Sequence, residues 1–428
     1  MNENEIVCAL TLALLLIAPL AIAGVALINT GLGRSRSAAQ ALLGNLAIVT
    51  VATIVFALIG ATLAGSQPGA AGFQGLTLHL AGKPWNLAGT APFLLGGLSS
   101  APLPAQLAVL FQFLAVAMAA ILPWGSGADR WRLTAGCASA ALIGGVLFPL
   151  AAHWTWGGGW LQQLGVNFGL GAGFLDGGGA GTVHALGGMA ALAVVWIAGP
   201  RRGKFPQEGL STAMPGHNAV YVLFGAILAL VGWLAWNCAG AVLWLHAPLS
   251  ALPLTALNTL LTSASALAAT YGVTSVRFGK PDASLCANGW MTGLVASTAT
   301  AGVVPPAASL LIGAVAGVIT PLLVEVMELA LSIDDPSGAI SVHLIGGLWG
   351  LLSAGVFAPQ PGQFVAQLVG IATLLGLMLP LIYLLYALLN LRIPFRVDPD
   401  GERIGMDLHE LGGGAYPEFV IHRDDSYR

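Results

Sequence analysis

Thr182-Val183-His184-Ala185-Leu186-Gly187-Gly188 recurs 159 residues later as Ser341-Val342-His343-Leu344-Ile345-Gly346-Gly347, each time at the head of an apolar stretch. A histidine inside a bilayer loses its water, so it tends to face the protein interior or a passage and is a functional candidate by default. A single such histidine reads equally well as a hydrogen-bonded packing residue. A pair carried at matching positions of an internal repeat is the pattern expected when two halves build one central site.

Working outward, the composition places both copies in a membrane. The chain of 428 residues is 57% hydrophobic and 8% charged, with a mean hydropathy of +0.84, whereas a soluble domain carries roughly 25% charged residues. Its 58 glycines and 12 tryptophans suit close helix packing and membrane interfaces. The net charge of -3 identifies no partner, and nothing points to nucleic acid. Cys8, Cys137, Cys238 and Cys286 lie in apolar surroundings without a CxxC spacing and read as small core residues. Met1-Asn2-Glu3-Asn4-Glu5 has no basic residue before its apolar run, so the first helix is expected to be retained rather than cleaved.

Runs long enough to cross ~30 Å of hydrocarbon fall at 5–30, 41–64, 104–124, 132–153, 180–199, 217–240, 250–273, 285–303, 307–330, 338–358 and 364–390. Basic residues follow the odd-numbered spans: Arg34 and Arg36, Arg130 and Arg132, Arg201, Arg202 and Lys204, Arg277 and Lys280, then Arg392, Arg396, Arg403, Arg423 and Arg428. Of the 15 Lys and Arg residues only Lys83 falls on the other side. By the positive-inside rule the N-terminus is outside and the C-terminus cytoplasmic, which requires an odd number of spans. The expected fold is therefore an all-α polytopic membrane protein of eleven helices. Spans one to five (residues 1–199) and six to ten (200–363) each carry the histidine motif in their fifth member, so they read as two repeats. Because five is odd, the second enters from the opposite side, giving inverted topology with span eleven (364–390) left over. Residues 66–103 and 154–179 read as outer loops and 391–428 as a polar cytoplasmic tail, with no appended soluble domain.

Each imidazole nitrogen donates or accepts one hydrogen bond, so adjacent rings could share a proton across a dry passage and lie within hydrogen-bonding reach. Metal sites usually gather three or four ligands. His79, His153, His217, His246, His409 and His422 lie at loops, span ends or the tail, so no metal cluster is expected, and bis-His haem ligation stays open on residue types alone. No nucleophile–base set or phosphate loop suggests an enzyme, and no cofactor is called for.

Further landmarks extend over nearly the whole chain: Pro19 in span one, Phe111-Gln112, Ala128-Asp129-Arg130, His153-Trp154-Thr155-Trp156-Gly157-Gly158-Gly159, Asp176 eight residues before His184, and His217-Asn218. They continue with Gly232-Trp233-Leu234-Ala235-Trp236-Asn237, Gly279-Lys280-Pro281, Asp334-Asp335-Pro336, Gly405-Met406-Asp407 and Ala415-Tyr416. With these the chain resembles the ammonium transporter family that includes the Rhesus-type proteins. The resemblance implies a homotrimer in the lipid bilayer of the cell (inner) membrane, with one narrow pore per subunit conducting ammonium or ammonia past His184 and His343.

The resemblance also implies that Trp156 is the aromatic of the outer vestibule, where an indole face attracts a cation by ~0.5–2 kcal/mol; a belt tryptophan is its simpler reading. Asp176 resembles the family's aspartate beside that vestibule and can also cap the fifth helix. Asp335-Pro336 reads as a cap with proline at the first helical position, without substrate contact. The family's two gate phenylalanines fall at Ala115 and Trp236, where a larger ring opposite a missing one would keep the gate volume. The hydroxyl that binds ammonium outside falls at Ala241. In the tail Leu411 stands where the family usually has histidine. A transporter of ammonium, ammonia or methylammonium is the leading expectation, and an ammonium sensor with little flux, its tail reporting to a cytoplasmic regulatory protein, is the alternative.

Overall fold

The computed structural model describes residues 3–65 and 75–417. Lipid offers the backbone no hydrogen-bond partners, so each apolar run must satisfy its own amides as a helix. The helices are α1 (Glu3–Leu32), α2 (Ser35–Ala64), α3 (Leu103–Ser126), α4 (Leu133–Thr155), α5 (Ala180–Ala198), α6 (Ala219–Trp244), α7 (Leu249–Phe278), α8 (Ala283–Thr300), α9 (Pro306–Leu329), α10 (Ile340–Phe357) and α11 (Gln363–Arg392). Among the described residues ten of these are long and apolar enough to cross a membrane. The exception is α8, which coincides with the expected span at 285–303. It carries Asn288, Thr292, Ser297, Thr298 and Thr300, all buried against its neighbours. Pro19 interrupts α1, whose regular turns end at Ile17 and resume at Pro19, because its ring cannot continue the preceding helix.

The packing of the first five helices recurs in the next five. α2 packs on α3 and α4, and α3 on α5; α7 packs on α8 and α9, and α8 on α10. α1 and α6 meet each other along Gly24, Gly225 and Gly232, where a methyl group at any of the three would strike the partner's backbone. α5 is the most enclosed helix, while α1, α2, α9 and α11 present apolar faces outward, with Leu16 70% and Leu46 63% exposed. α5 therefore holds the centre of the bundle, with α10 packed against its opening turn.

The stretch 66–103, expected as an outer loop, carries local structure of its own. It contains an antiparallel hairpin, β1 (Gly75–Leu80) and β2 (Lys83–Gly89), with Leu80 opposite Lys83. Ala81 and Gly82 turn it with φ of 54° and 72°, the left-handed pair a two-residue hairpin turn requires. Trp154 Nε1 donates to Leu87 O (2.8 Å) and Asn86 N to Gln163 Oε1 (2.8 Å), which ties the hairpin to the segment 154–179. Residues 66–74 of that expected loop lie outside the described residues.

A last short helix, α12 (Pro399–Ile404), begins the tail. Asp407 accepts from Gln40 N (2.7 Å) and Ala39 N (3.2 Å), and Glu410 accepts from Leu133 N (3.0 Å). The two carboxylates thus sit at amino-terminal turns of α2 and α4, where free amides and the helix dipole favour negative charge. Tyr416 Oη lies 3.0 Å from His217 Nε2. Leu411 is 37% exposed, so the position where the family's histidine is missing is not among these anchors.

Candidate functional site

Both histidines sit on wide π-helical turns, Ala180–Ala185 opening α5 and Ile340–Ile345 opening α10. Asp176 Oδ2 accepts from Gly181 N (3.0 Å), Thr182 N (2.8 Å) and Thr182 Oγ1 (2.9 Å). Asp335 does the same for the other turn, accepting from Ile340 N at 2.8 Å through Oδ2 and from Ser126 Oγ at 2.7 Å through Oδ1. Each aspartate lies eight residues before its histidine, so Asp176 and Asp335 occupy the same place in the two copies. Oδ1 of Asp176 is buried with no partner among the described residues.

The glycine pairs of the motif explain how the imidazoles come together. A methyl group at Gly187 would strike α3 at Leu122 and Ala119, and one at Gly346 would strike α8 at Thr292. Gly188 lies against the backbone of Leu344, and Gly347 against the carbonyl of Ala180. The first glycine of each pair seats its helix within its own half, and the second lets the two histidine turns touch. The rings of His184 and His343 consequently stack, centroids 5.2 Å apart and planes 20° apart, and Trp233 stacks on His184 at 5.1 Å with planes 16° apart. His184 is fully buried and His343 5% exposed. Nδ1 and Nε2 of His184 and Nδ1 of His343 have no hydrogen-bond partner among the described residues. Among the described residues no hydrogen bond joins the two rings, unlike the mutual bond expected from the sequence.

On the amino-terminal side of the first of these turns, at Asp176 and Gly178, stands an aromatic cluster. Trp156 Nε1 donates to Asp176 O (2.8 Å) and Trp236 Nε1 to Gly178 O (2.8 Å). Phe111 approaches Trp156 at 5.6 Å and Trp236 at 5.1 Å. Ala115, one turn beyond Phe111, is completely buried. Trp244, which the sequence reading did not single out, stacks on Trp156 at 5.1 Å with planes 11° apart. Ala241 is not part of this cluster; it packs with Cys238 and Leu252 toward the start of α7. A hydroxyl there faces a different environment from the gate rings.

On the other side of the histidines a small cavity lined by Asn29, Asn288, Met291, Ser337 and His343 adjoins, through Asn288, a cavity of about 610 Å³ between α8, α9 and the segments 201–216 and 333–338. That cavity lies on the arginine-rich face. There Arg201 pairs with Asp334 (2.9 Å) and Asp129 (3.2 Å), and Arg130 lies 3.6 Å from Asp334. Burial alone would raise the Asp334 carboxyl, but Arg130 and Arg201 hold it below the usual carboxylate range. Among the described residues no cluster of three or more metal-ligating side chains occurs.

The sequence profile of the Ammonium Transporter Family matches residues 8–416. The ammonium transporter Amt2 of Archaeoglobus fulgidus is 33% identical over 420 residues, covering 93% of this chain and 85% of that protein. An Amt2 of Haloferax mediterranei is 31% identical, covering 93% of this chain and 87% of that one. Among solved structures, a sensor Amt protein superposes with a TM-score of 0.85 at 26% identity, covering 95% of this chain and 98% of that one. Mep2 of Candida albicans does so with a TM-score of 0.78 at 25% identity, covering 98% and 93%. The chain, a multi-pass membrane protein, belongs to the ammonium transporter family.

Proposed function

We propose that this protein transports ammonium, ammonia or methylammonium through a narrow passage that runs from the aromatic cluster, past His184 and His343, to the cavity on the arginine-rich face. The observation that carries this reading is the stacked imidazole pair, whose three buried ring nitrogens lack partners. A buried polar group without a partner costs roughly 1–3 kcal/mol, and a small hydrogen-bonding solute passing along the pair satisfies these nitrogens in turn. Substrate meets the outer aromatic rings first, loses water between them, and is handed to the imidazoles by groups that can both donate and accept. Asp176 fixes the first histidine turn, and its unpartnered Oδ1 adds negative charge near a cation's path.

In this reading α8 is the eleventh crossing, its polar groups paired inside the bundle. α1 to α5 and α6 to α10 form inverted repeats, and α11 stands outside them; the matching contacts of the two halves support this division. The positive-inside pattern orients the N-terminus outward and the C-terminal tail into the cytoplasm of a cell (inner) membrane. The assembly is a homotrimer, with the outward faces of the bundle meeting lipid and neighbouring subunits. The docked tail is where a cytoplasmic regulatory protein would act.

A second reading, an ammonium sensor with little flux, is favoured by the TM-score of 0.85 to the sensor Amt protein. Uptake of labelled methylammonium into proteoliposomes, with and without an imposed potential, separates the two. Uptake above that of protein-free liposomes supports transport, and its response to potential tells whether net charge crosses. Binding without uptake supports the sensor.

A further inference from the structure

Trp156 is held rigidly, its Nε1 bonded to Asp176 O at 2.8 Å, yet the face it would offer a cation is occupied. Trp244 lies on it with planes only 11° apart and centroids 5.1 Å apart, and Phe111 closes the edges of both rings at 5.6 and 5.9 Å. Two indoles in stacking contact leave no room for even an ammonium ion between them. Of the two, Trp244 is the one free to move. It is the last residue of α6 and half-buried, and its Nε1 has no hydrogen-bond partner among the described residues. Two residues on, His246 is exposed and takes a left-handed φ of 52°, a conformation that non-glycine residues adopt at some cost. Trp236, by contrast, is fully buried and bonded to Gly178 O.

We propose that Trp244 is a specificity-determining cap of the outer site: it occupies the cation face of Trp156, and a permeating cation must displace it. This rests on the transport reading of the same site. Stacking of aromatic pairs and attraction of a cation to an indole face are of comparable strength. Cation and Trp244 thus compete for one surface, and the outcome depends on how readily the cation gives up its water. Ammonium and methylammonium, which can donate hydrogen bonds to carbonyls beneath the cluster, displace the ring. An alkali cation held by a tight water shell does not.

The test is calorimetric titration of the purified full-length protein with methylammonium chloride, comparing wild type, Trp244→Ala, Trp244→Phe and Trp156→Leu, and Trp244→Ala in the Trp156→Leu background. Removing the cap is expected to tighten binding by roughly 2- to 10-fold, the factor corresponding to loss of one aromatic stack. Trp244→Phe, which keeps a ring, should stay within about twofold of wild type. In the Trp156→Leu background the gain should vanish, because the surface competed for is gone; a merely structural role for Trp244 would not produce that dependence. Thermal unfolding checks each variant, and Trp244→Leu replaces the alanine variant if that one fails to fold. Unchanged or weaker binding in the uncapped variant, or a gain that persists without Trp156, overturns the proposal. Because binding is read without flux, failure of transport with a tightened Trp244→Ala site rejects the transport reading and leaves the cap standing.

Discussion

Gly188 lies directly against the backbone of Leu344, so that a methyl group at 188 would come within 2.7 Å of the Leu344 Cβ. Gly347 stands in the reciprocal position against Ala180 and Ala185. These contacts set the separation of the two histidine turns and hence the stacking of the rings. Gly188→Ala and Gly347→Ala should each destabilise the protein by roughly 1–3 kcal/mol through overpacking, read as lowered thermal stability in detergent. Gly376, beside which an added methyl group meets nothing within 4 Å, should tolerate alanine and serves as the control.

Asp176 and Asp335 cap equivalent turns but differ in what remains free. Both oxygens of Asp335 are engaged, whereas Oδ1 of Asp176 has no partner. Replacing either by alanine should cost about 1–2 kcal/mol, as lost caps do. Asn keeps one acceptor oxygen for the cap. Asp176→Asn should therefore retain most of the thermal stability yet reduce methylammonium uptake severalfold, while Asp335→Asn should leave uptake near wild type. Equal uptake losses in both would assign the two aspartates one structural role.

The outer gate yields contrasting predictions for two substitutions. Ala115 is fully buried one turn from Phe111, which already meets Trp236 at 5.1 Å. Ala115→Phe should therefore clash, lowering both stability and uptake. Ala241 packs with Cys238 and Leu252, away from the rings. A serine there would turn its hydroxyl to the carbonyl one turn back, as helical serines do, leaving the half-saturating methylammonium concentration unchanged. Concentration-dependent uptake by the two variants checks both statements.

Asp334 links stability to pH. Its folded carboxyl lies below its ordinary value because Arg130 and Arg201 outweigh the effect of burial. A depressed carboxylate contributes stability that is fully present above its unfolded value near ~3.9 and is lost as pH falls through the lower folded value. Thermal stability should therefore be insensitive to this group near neutrality and fall in the acid range. Asp334→Asn should remove that component of the acid sensitivity and, by leaving buried arginine charge under-compensated, cost about 3–5 kcal/mol at neutral pH.

Much of this organisation is legible in the sequence because lipid enforces it. Ten of the expected apolar runs coincide with long apolar helices, and the duplicated motif marks the two helices that carry the stacked histidines. The second aspartate was equally visible, eight residues before His343 as Asp176 is before His184. Other features depend on geometry that residue types do not encode. Whether two imidazoles stack or share a hydrogen bond is decided by ring orientation on a π-helical turn. Trp244 reads as one more tryptophan at a helix end until folding lays it on Trp156. The hairpin at 75–89 was hidden because its turn uses Ala81 in place of the usual Asn or Asp, although Leu76, Leu78 and Leu80 alternate as a strand should. Ala241, where the resemblance puts the family's hydroxyl, packs with Cys238 and Leu252, and a sequence offset alone does not say which way a side chain points.

The central claim is that substrate passes the stacked imidazoles. Reconstituted uptake of labelled methylammonium by His184→Ala and His343→Ala, at matched protein content and with thermal stability verified, tests it most directly. Both variants should remain folded, because the ring nitrogens make no hydrogen bonds that hold the helices, and both should show uptake changed severalfold or more from wild type, or its dependence on potential altered. Uptake with wild-type rate, concentration dependence and voltage response in both variants would contradict a passage through this pair.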